Sequence, residues 1–179
     1  MDIVDGSVDE NEVIEEIRKS KLSWLYRNNQ NGWIFNRLND VANRLNTRYF
    51  GFDINELDLI QYTIYESDGG HYNWHIDSHM NLPQNSLYSP KQRKMSMVLQ
   101  LSDPDEYEGG DLELLFSRDI YPVRKEKGFI SVFPSFVLHR VTPVTAGTRR
   151  TLVAWFTGPR SEEHTSELQS RETIFVCRL

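Results

Sequence analysis

Four residues in this chain have the types and spacing to hold a metal ion and an anion side by side: His75 and Asp77 in Trp74-His75-Ile76-Asp77, His139 in Leu138-His139-Arg140, and Arg149. Two imidazoles and one carboxylate are the donors that hold non-haem Fe(II) when positions must stay open for a cosubstrate and for oxygen. Such a centre would make the protein an oxygenase. On an extended strand side chains alternate faces, so His75 and Asp77 would reach one ion while Ile76 points away. His139 lies far downstream, so the ion would tie together two strands remote in sequence. Arg149 follows the turn-like Thr142-Pro143-Val144-Thr145-Ala146-Gly147, and by the same alternation it shares a strand face with Thr151, Val153 and Trp155. A guanidinium there can hold a carboxylate through two parallel hydrogen bonds, which suits a dicarboxylate cosubstrate.

Each piece alone has an ordinary structural reading. A His with an Asp two residues on arises by chance in many chains. His139 beside an apolar run fits a hydrogen-bonded core histidine, and Arg149 at a strand start fits a solvated one. Only the order and spacing of all four make a site.

The chain that must position them has 179 residues, enough for one domain with a sizeable core. Its net charge is −6, and no basic run interrupts it, so nothing in the electrostatics suggests a nucleic-acid surface. The N-terminus shows neither a basic region nor an apolar leader, and no 18-residue apolar stretch occurs, so a soluble cytoplasmic protein is expected. A single cysteine, Cys177, rules out a disulfide framework within one chain and a thiolate metal site.

Residues 8–20 pattern as a short amphipathic helix and 21–26 as a strand. Across residues 32–49, Ile34, Phe35, Leu38, Val41, Ala42 and Leu45 recur at helical spacing, predicting a helix whose apolar stripe packs on a sheet. From residue 57 onward short strands alternate with turn signals: 57–65, 71–77, 95–101, 111–116, 128–133, 137–141 and 149–157. Such a series predicts a mainly β fold with flanking α, a jelly roll or barrel closed against one or two helices. Residues 78–93 hold Pro83 and Pro90, little periodicity and no regular element, and read either as a lid over the metal or as a surface loop.

Residues 160–170, Arg-Ser-Glu-Glu-His-Thr-Ser-Glu-Leu-Gln-Ser, resemble the conceptual translation of a common high-throughput sequencing adapter. Residues 160–179 are therefore expected to be a non-native tail, with residues 1–159 the single domain and about 57–159 its catalytic core. The alternative is a polar tail ending in a terminal strand. His164 and Cys177 receive no functional reading.

The segment from about residue 57 to 159 resembles the Fe(II)/2-oxoglutarate-dependent dioxygenase superfamily, nearest to its prolyl 4-hydroxylase and PKHD-type hydroxylase branch. The motifs are Tyr72-Asn73-Trp74-His75-Ile76-Asp77, Glu108-Gly109-Gly110-Asp111-Leu112, Phe133-Pro134-Ser135-Phe136-Val137-Leu138-His139-Arg140-Val141, and Gly147-Thr148-Arg149. The resemblance implies a double-stranded β-helix (cupin-like) with His75, Asp77 and His139 as Fe(II) ligands and Arg149 on the distal carboxylate of 2-oxoglutarate. Tyr65 matches a position that bonds the cosubstrate, with core packing as its other reading. Trp155 matches an aromatic near the metal, Gly109-Gly110 a turn or bulge, and His71 and His79 match no ligand position. It further implies succinate and CO2 as products and ascorbate as a reductant. The carboxylate of Asp77 argues for hydroxylation, since related halogenases carry a small residue there. The substrate would be a prolyl residue of a peptide or protein, or alternatively a free amino acid or other small molecule. Trp155 stands where the nucleic-acid demethylase branch carries a second arginine. A non-catalytic cupin-like metal-binding module is the reading from another class. Oligomeric state is left open.

Overall fold

The structure is a computed structural model that describes residues 2–6, 16–78, 91–159 and 175–178, the last group by backbone alone. Two antiparallel sheets form it. Its strands are β1 (Val4–Asp5), β2 (Arg18–Lys19), β3 (Lys21–Leu25), β4 (Glu56–Glu66), β5 (His71–His75), β6 (Lys91–Gln100), β7 (Tyr107–Gly109), β8 (Leu112–Phe116), β9 (Asp119–Pro122), β10 (Phe129–Pro134), β11 (Leu138–Val141), β12 (Val144–Pro159) and β13 (Phe175–Arg178). The larger sheet runs β1-β3-β4-β12-β6-β10-β13, with β7 added on β12, and the smaller runs β2-β5-β11-β8-β9. Among the described residues one α-helix, α1 (Gly32–Leu45), covers the larger sheet. This is the expected double-stranded β-helix with a flanking helix. Among the described residues no helix is long and apolar enough to cross a membrane.

Period-two patterning builds the layers. On β6, Met95, Met97 and Leu99 pack with Phe35, Leu38, Val41 and Ala42 of α1, joined by Ile130 and Val132 of β10 and by Ala154 and Phe156 of β12. The alternate residues of those strands face the smaller sheet. There Phe133, Tyr65, Tyr107 and Val144 meet Leu112, Leu114, Val137 and Val141 in a second core. Truncating a side chain as enclosed as Leu38 (2% exposed) to Ala should cost about 2–5 kcal/mol.

Three expectations change. The helix expected over 32–49 is α-helical only to Leu45, and Asn46–Phe50 continue as one π turn. The Asn46 side chain causes this: its amide bonds both the N–H and the C=O of Phe52, and Gly51 closes the turn at φ 70°. Of the helix expected over 8–20, residues 8–15 lie outside the described residues. Its end is strand β2, because Arg18 and Lys19 pair with Tyr72 and His71. Within 78–93, residues 79–90 and with them His79 lie outside the described residues, while Lys91–Arg93 begin β6.

Candidate metal centre

His75 ends β5, and His139 sits on β11 directly opposite it in register. Asp77 is not on the strand, contrary to the alternation expected for it. Its backbone N–H and that of Ser78 both donate to the Ser135 carbonyl, at 2.9 and 3.0 Å, so the chain leaves β5 and bends onto the β10–β11 turn. The bend still delivers the carboxylate to both imidazoles. His75 Nε2 lies 3.7 Å from Asp77 Oδ1, and His139 Nε2 lies 3.6 Å from Oδ2. One donor atom from each residue falls within 4.8 Å of the others.

Both rings are oriented by the same device. Nδ1 of His75 donates to the Asn73 carbonyl at 2.7 Å, and Nδ1 of His139 to the Val137 carbonyl at 2.9 Å. A carbonyl only accepts, so each Nδ1 carries the donating proton and Nε2 is the ring nitrogen turned toward the carboxylate. Tyr72 stacks on His75 with centroids 3.4 Å apart, the Arg18 guanidinium lies over Tyr72, and Phe133 meets His139 edge-on. Burial, with His139 alongside, pushes the His75 pKa down to about 3 against the pull of Asp77. Burial alone would raise the pKa of Asp77, but the two imidazoles and the Ser96 hydroxyl outweigh it and hold the carboxyl below its usual range. A neutral His75 imidazole and an ionised Asp77 carboxylate are protonation states that metal binding requires.

Beyond the triad, Arg149 is 3% exposed and stands opposite Tyr65 across β12 and β4, its guanidinium 5.5 Å from the Tyr65 ring. Among the described residues no carboxylate forms an ion pair with it. It lines a small cavity with Val98, Gln100, Tyr107, Gly110 and Ser131. Gln100 Nε2 donates to the Tyr107 hydroxyl at 2.8 Å, and Lys125 caps this end, bonding the Gly109 carbonyl and Asp111. Gly109 and Gly110 both take positive φ. At Gly110 a Cβ would stand 3.1 Å from Arg149 Cδ, so the residue leaves room for the arginine. Trp155, on the same face of β12, is 6% exposed. Among the described residues its indole N–H has no hydrogen-bond partner, and the Arg93 guanidinium lies 4.0 Å over its ring.

Residues 60–157, more than half the chain, match the family model of the 2OG-Fe(II) oxygenase superfamily. The chain belongs to this superfamily. Among curated relatives, a PKHD-type hydroxylase of Synechococcus sp. (strain CC9311) is 39% identical over 90 residues, 50% of this chain and 37% of that protein. One from Colwellia psychrerythraea (strain 34H / ATCC BAA-681) is 32% identical over 118 residues, 65% of this chain and 49% of its own length. The chain thus spans less than half the length of these relatives. In fold it resembles a Pseudomonas putida prolyl-4-hydroxylase (TM-score 0.63, 23% identity, 82% of this chain and 76% of that one). It also resembles a Trichoplax adhaerens prolyl hydroxylase in complex with a hypoxia inducible factor oxygen degradation domain peptide fragment (TM-score 0.70, 16% identity, 96% and 74%).

As the superfamily's name states, its metal is Fe(II) and its cosubstrate 2-oxoglutarate. The donor set here fits that metal: two imidazole nitrogens and one carboxylate converge, with each imidazole oriented by a backbone carbonyl. The buried Arg149 charge fits an anionic group arriving in its cavity. His71 bonds the Gly69 and Glu16 carbonyls, in keeping with a structural reading. Sequence reasoning missed Ser96, Gln100, Tyr107, Tyr72 and Arg18. For two of them a signal existed: Ser96 and Gln100 alternate with Met95, Met97 and Leu99, marking polar positions on a strand face turned away from the helix.

Proposed function

We propose that this protein is an Fe(II)- and 2-oxoglutarate-dependent dioxygenase that hydroxylates a C–H bond of a prolyl residue in a peptide or protein, with release of succinate and CO2. His75, Asp77 and His139 hold the metal. Arg149 holds the distal carboxylate of 2-oxoglutarate, with the Tyr65 ring against the guanidinium and Tyr107 and Gln100 lining the pocket. Bound iron supplies the oxidation of 2-oxoglutarate that is coupled to hydroxylation, and ascorbate serves as accessory reductant. The chain's own part is positional. The two Nδ1 hydrogen bonds aim the imidazoles, and the Arg149 cavity orients the cosubstrate. The single observation that carries the reading is the convergence of a two-His, one-carboxylate cluster with a buried arginine cavity that lacks a carboxylate partner among the described residues. The prolyl substrate draws support from the relatives named PKHD-type hydroxylases and from the peptide-bound prolyl hydroxylase of similar fold.

The test is direct. Anaerobic addition of Fe(II) and 2-oxoglutarate should produce a weak visible charge-transfer band, and its absence from folded, metal-loaded protein would sink the cosubstrate assignment. His139→Ala should abolish Fe(II) retention. Succinate release is then compared for proline-containing peptides and free amino acids; turnover with the free amino acids alone would move the substrate to the small-molecule class.

A further inference from the structure

We propose that Ser96 is the positioning residue that makes Asp77 a one-oxygen ligand. The inference rests on the reading of His75, Asp77 and His139 as metal ligands. Ser96 sits in the middle of β6, opposite Phe133 on β10 and Trp155 on β12, and is 0% exposed. Aliphatic side chains fill such positions at no cost, whereas a buried hydroxyl is unfavourable unless bonded. Its oxygen lies 2.7 Å from Asp77 Oδ2 and 2.9 Å from Ser135 Oγ. An ionised carboxylate only accepts, so the single Ser96 proton goes to Asp77 and the Ser135 hydroxyl donates to Ser96. Ser135 thereby acts twice. Its carbonyl accepts the backbone N–H of Asp77 and of Ser78, and its hydroxyl backs the serine that grips the Asp77 side chain.

Main chain and carboxylate are thus fixed from the same turn. With Oδ2 engaged by a short hydrogen bond, Oδ1 is the oxygen offered to the metal. A carboxylate released from Ser96 can turn both oxygens to the ion and take up a position that the cosubstrate needs.

The experiment titrates the full chain with Co(II), reading affinity by chelator competition and coordination by the visible d–d bands, with circular dichroism as the check on folding. Ser96→Ala should weaken Co(II) binding by about tenfold or more, the range found when a residue supporting a metal ligand is lost, and should change the d–d bands. Ser96→Thr and Ser96→Val form an isosteric pair that differs in the hydroxyl alone, so Thr should keep the wild-type affinity and bands while Val loses them. This pair decides the matter even if Ser96→Ala does not fold. Equal affinity and identical bands for the Thr and Val variants would overturn the proposal. His75→Ala serves as the separate control: if it binds Co(II) as the wild type does, the ligand assignment itself has failed, whatever Ser96 does.

Discussion

His75 and His139 face each other across β5 and β11, their ring centroids 4.1 Å apart with planes tilted by 53°. The pairing of two strands therefore creates the site. A one-residue slip of β11 would turn His139 to the outer face of the sheet and leave the core, so the register is enforced by Val137, Val141 and Leu114 as much as by the proposed ligands.

Because the His75 imidazole is enclosed, the metal-free protein should be acid-sensitive. The unfolded chain takes up the His75 proton near 6.5, the folded one only near about 3. Between these values the unfolded state binds more protons, so stability falls as pH falls. Asp77 adds to this lower down: its stabilisation is present above its ordinary value of 3.8 and is lost as pH drops through the depressed folded value. Thermal unfolding followed from about pH 8 to 4 should show Tm declining below about 6.5, with a shallower decline in His75→Asn. Equal slopes would remove His75 as the cause.

Arg149→Ala should keep Fe(II) and weaken 2-oxoglutarate binding by about 1.5–3 kcal/mol, the worth of a hydrogen bond to a charged group. Titrating 2-oxoglutarate into the anaerobic Fe(II) protein measures it through the charge-transfer band. Unchanged affinity would show that the cosubstrate carboxylate lies elsewhere.

Gly110→Ala should separate the same two functions from the side of the fold. Its φ of 60° costs an L-residue about 1–2 kcal/mol, and the new Cβ would press on Val144 Cγ2 at 2.8 Å and on Arg149 Cδ. A lower Tm and weaker 2-oxoglutarate binding with intact Fe(II) affinity are expected. Loss of iron with cosubstrate binding preserved would contradict the placement of this turn behind Arg149.

A chain ending at Pro159 should retain the metal site. Among the described residues the backbone of β13 pairs only with the outer edge of β10, whereas the proposed ligands and Arg149 lie on β5, β11, β12 and the bend after β5. Equal Co(II) affinity in the shortened and full chains is the expected result, and a lost site would mean that residues 160–179 belong to the domain.

The parts legible in the sequence were those with short-range signatures. Residue type, order and strand parity marked His75, His139 and Arg149, and the 3.6-residue stripe from Ile34 to Leu45 marked α1. What escaped depends on contacts between segments far apart. Asp77 leaves its strand because Ser135 accepts its N–H, α1 gives way to a π turn because Asn46 grips Phe52, and β2 forms because Arg18 meets Tyr72. None of these partners is near in sequence except Phe52, and an Asn–Phe pair carries no periodic signal.

Strand β12 runs from Val144 to Pro159 with β4 on one side and β6 on the other. Its odd-numbered residues Arg149 and Trp155 are the ones proposed to serve the chemistry, while its even-numbered Ala154 and Phe156 lie in the core beneath α1. Selection can therefore act on one strand as on two nearly independent texts: every second letter can be rewritten for reactivity while the letters between are kept for solidity.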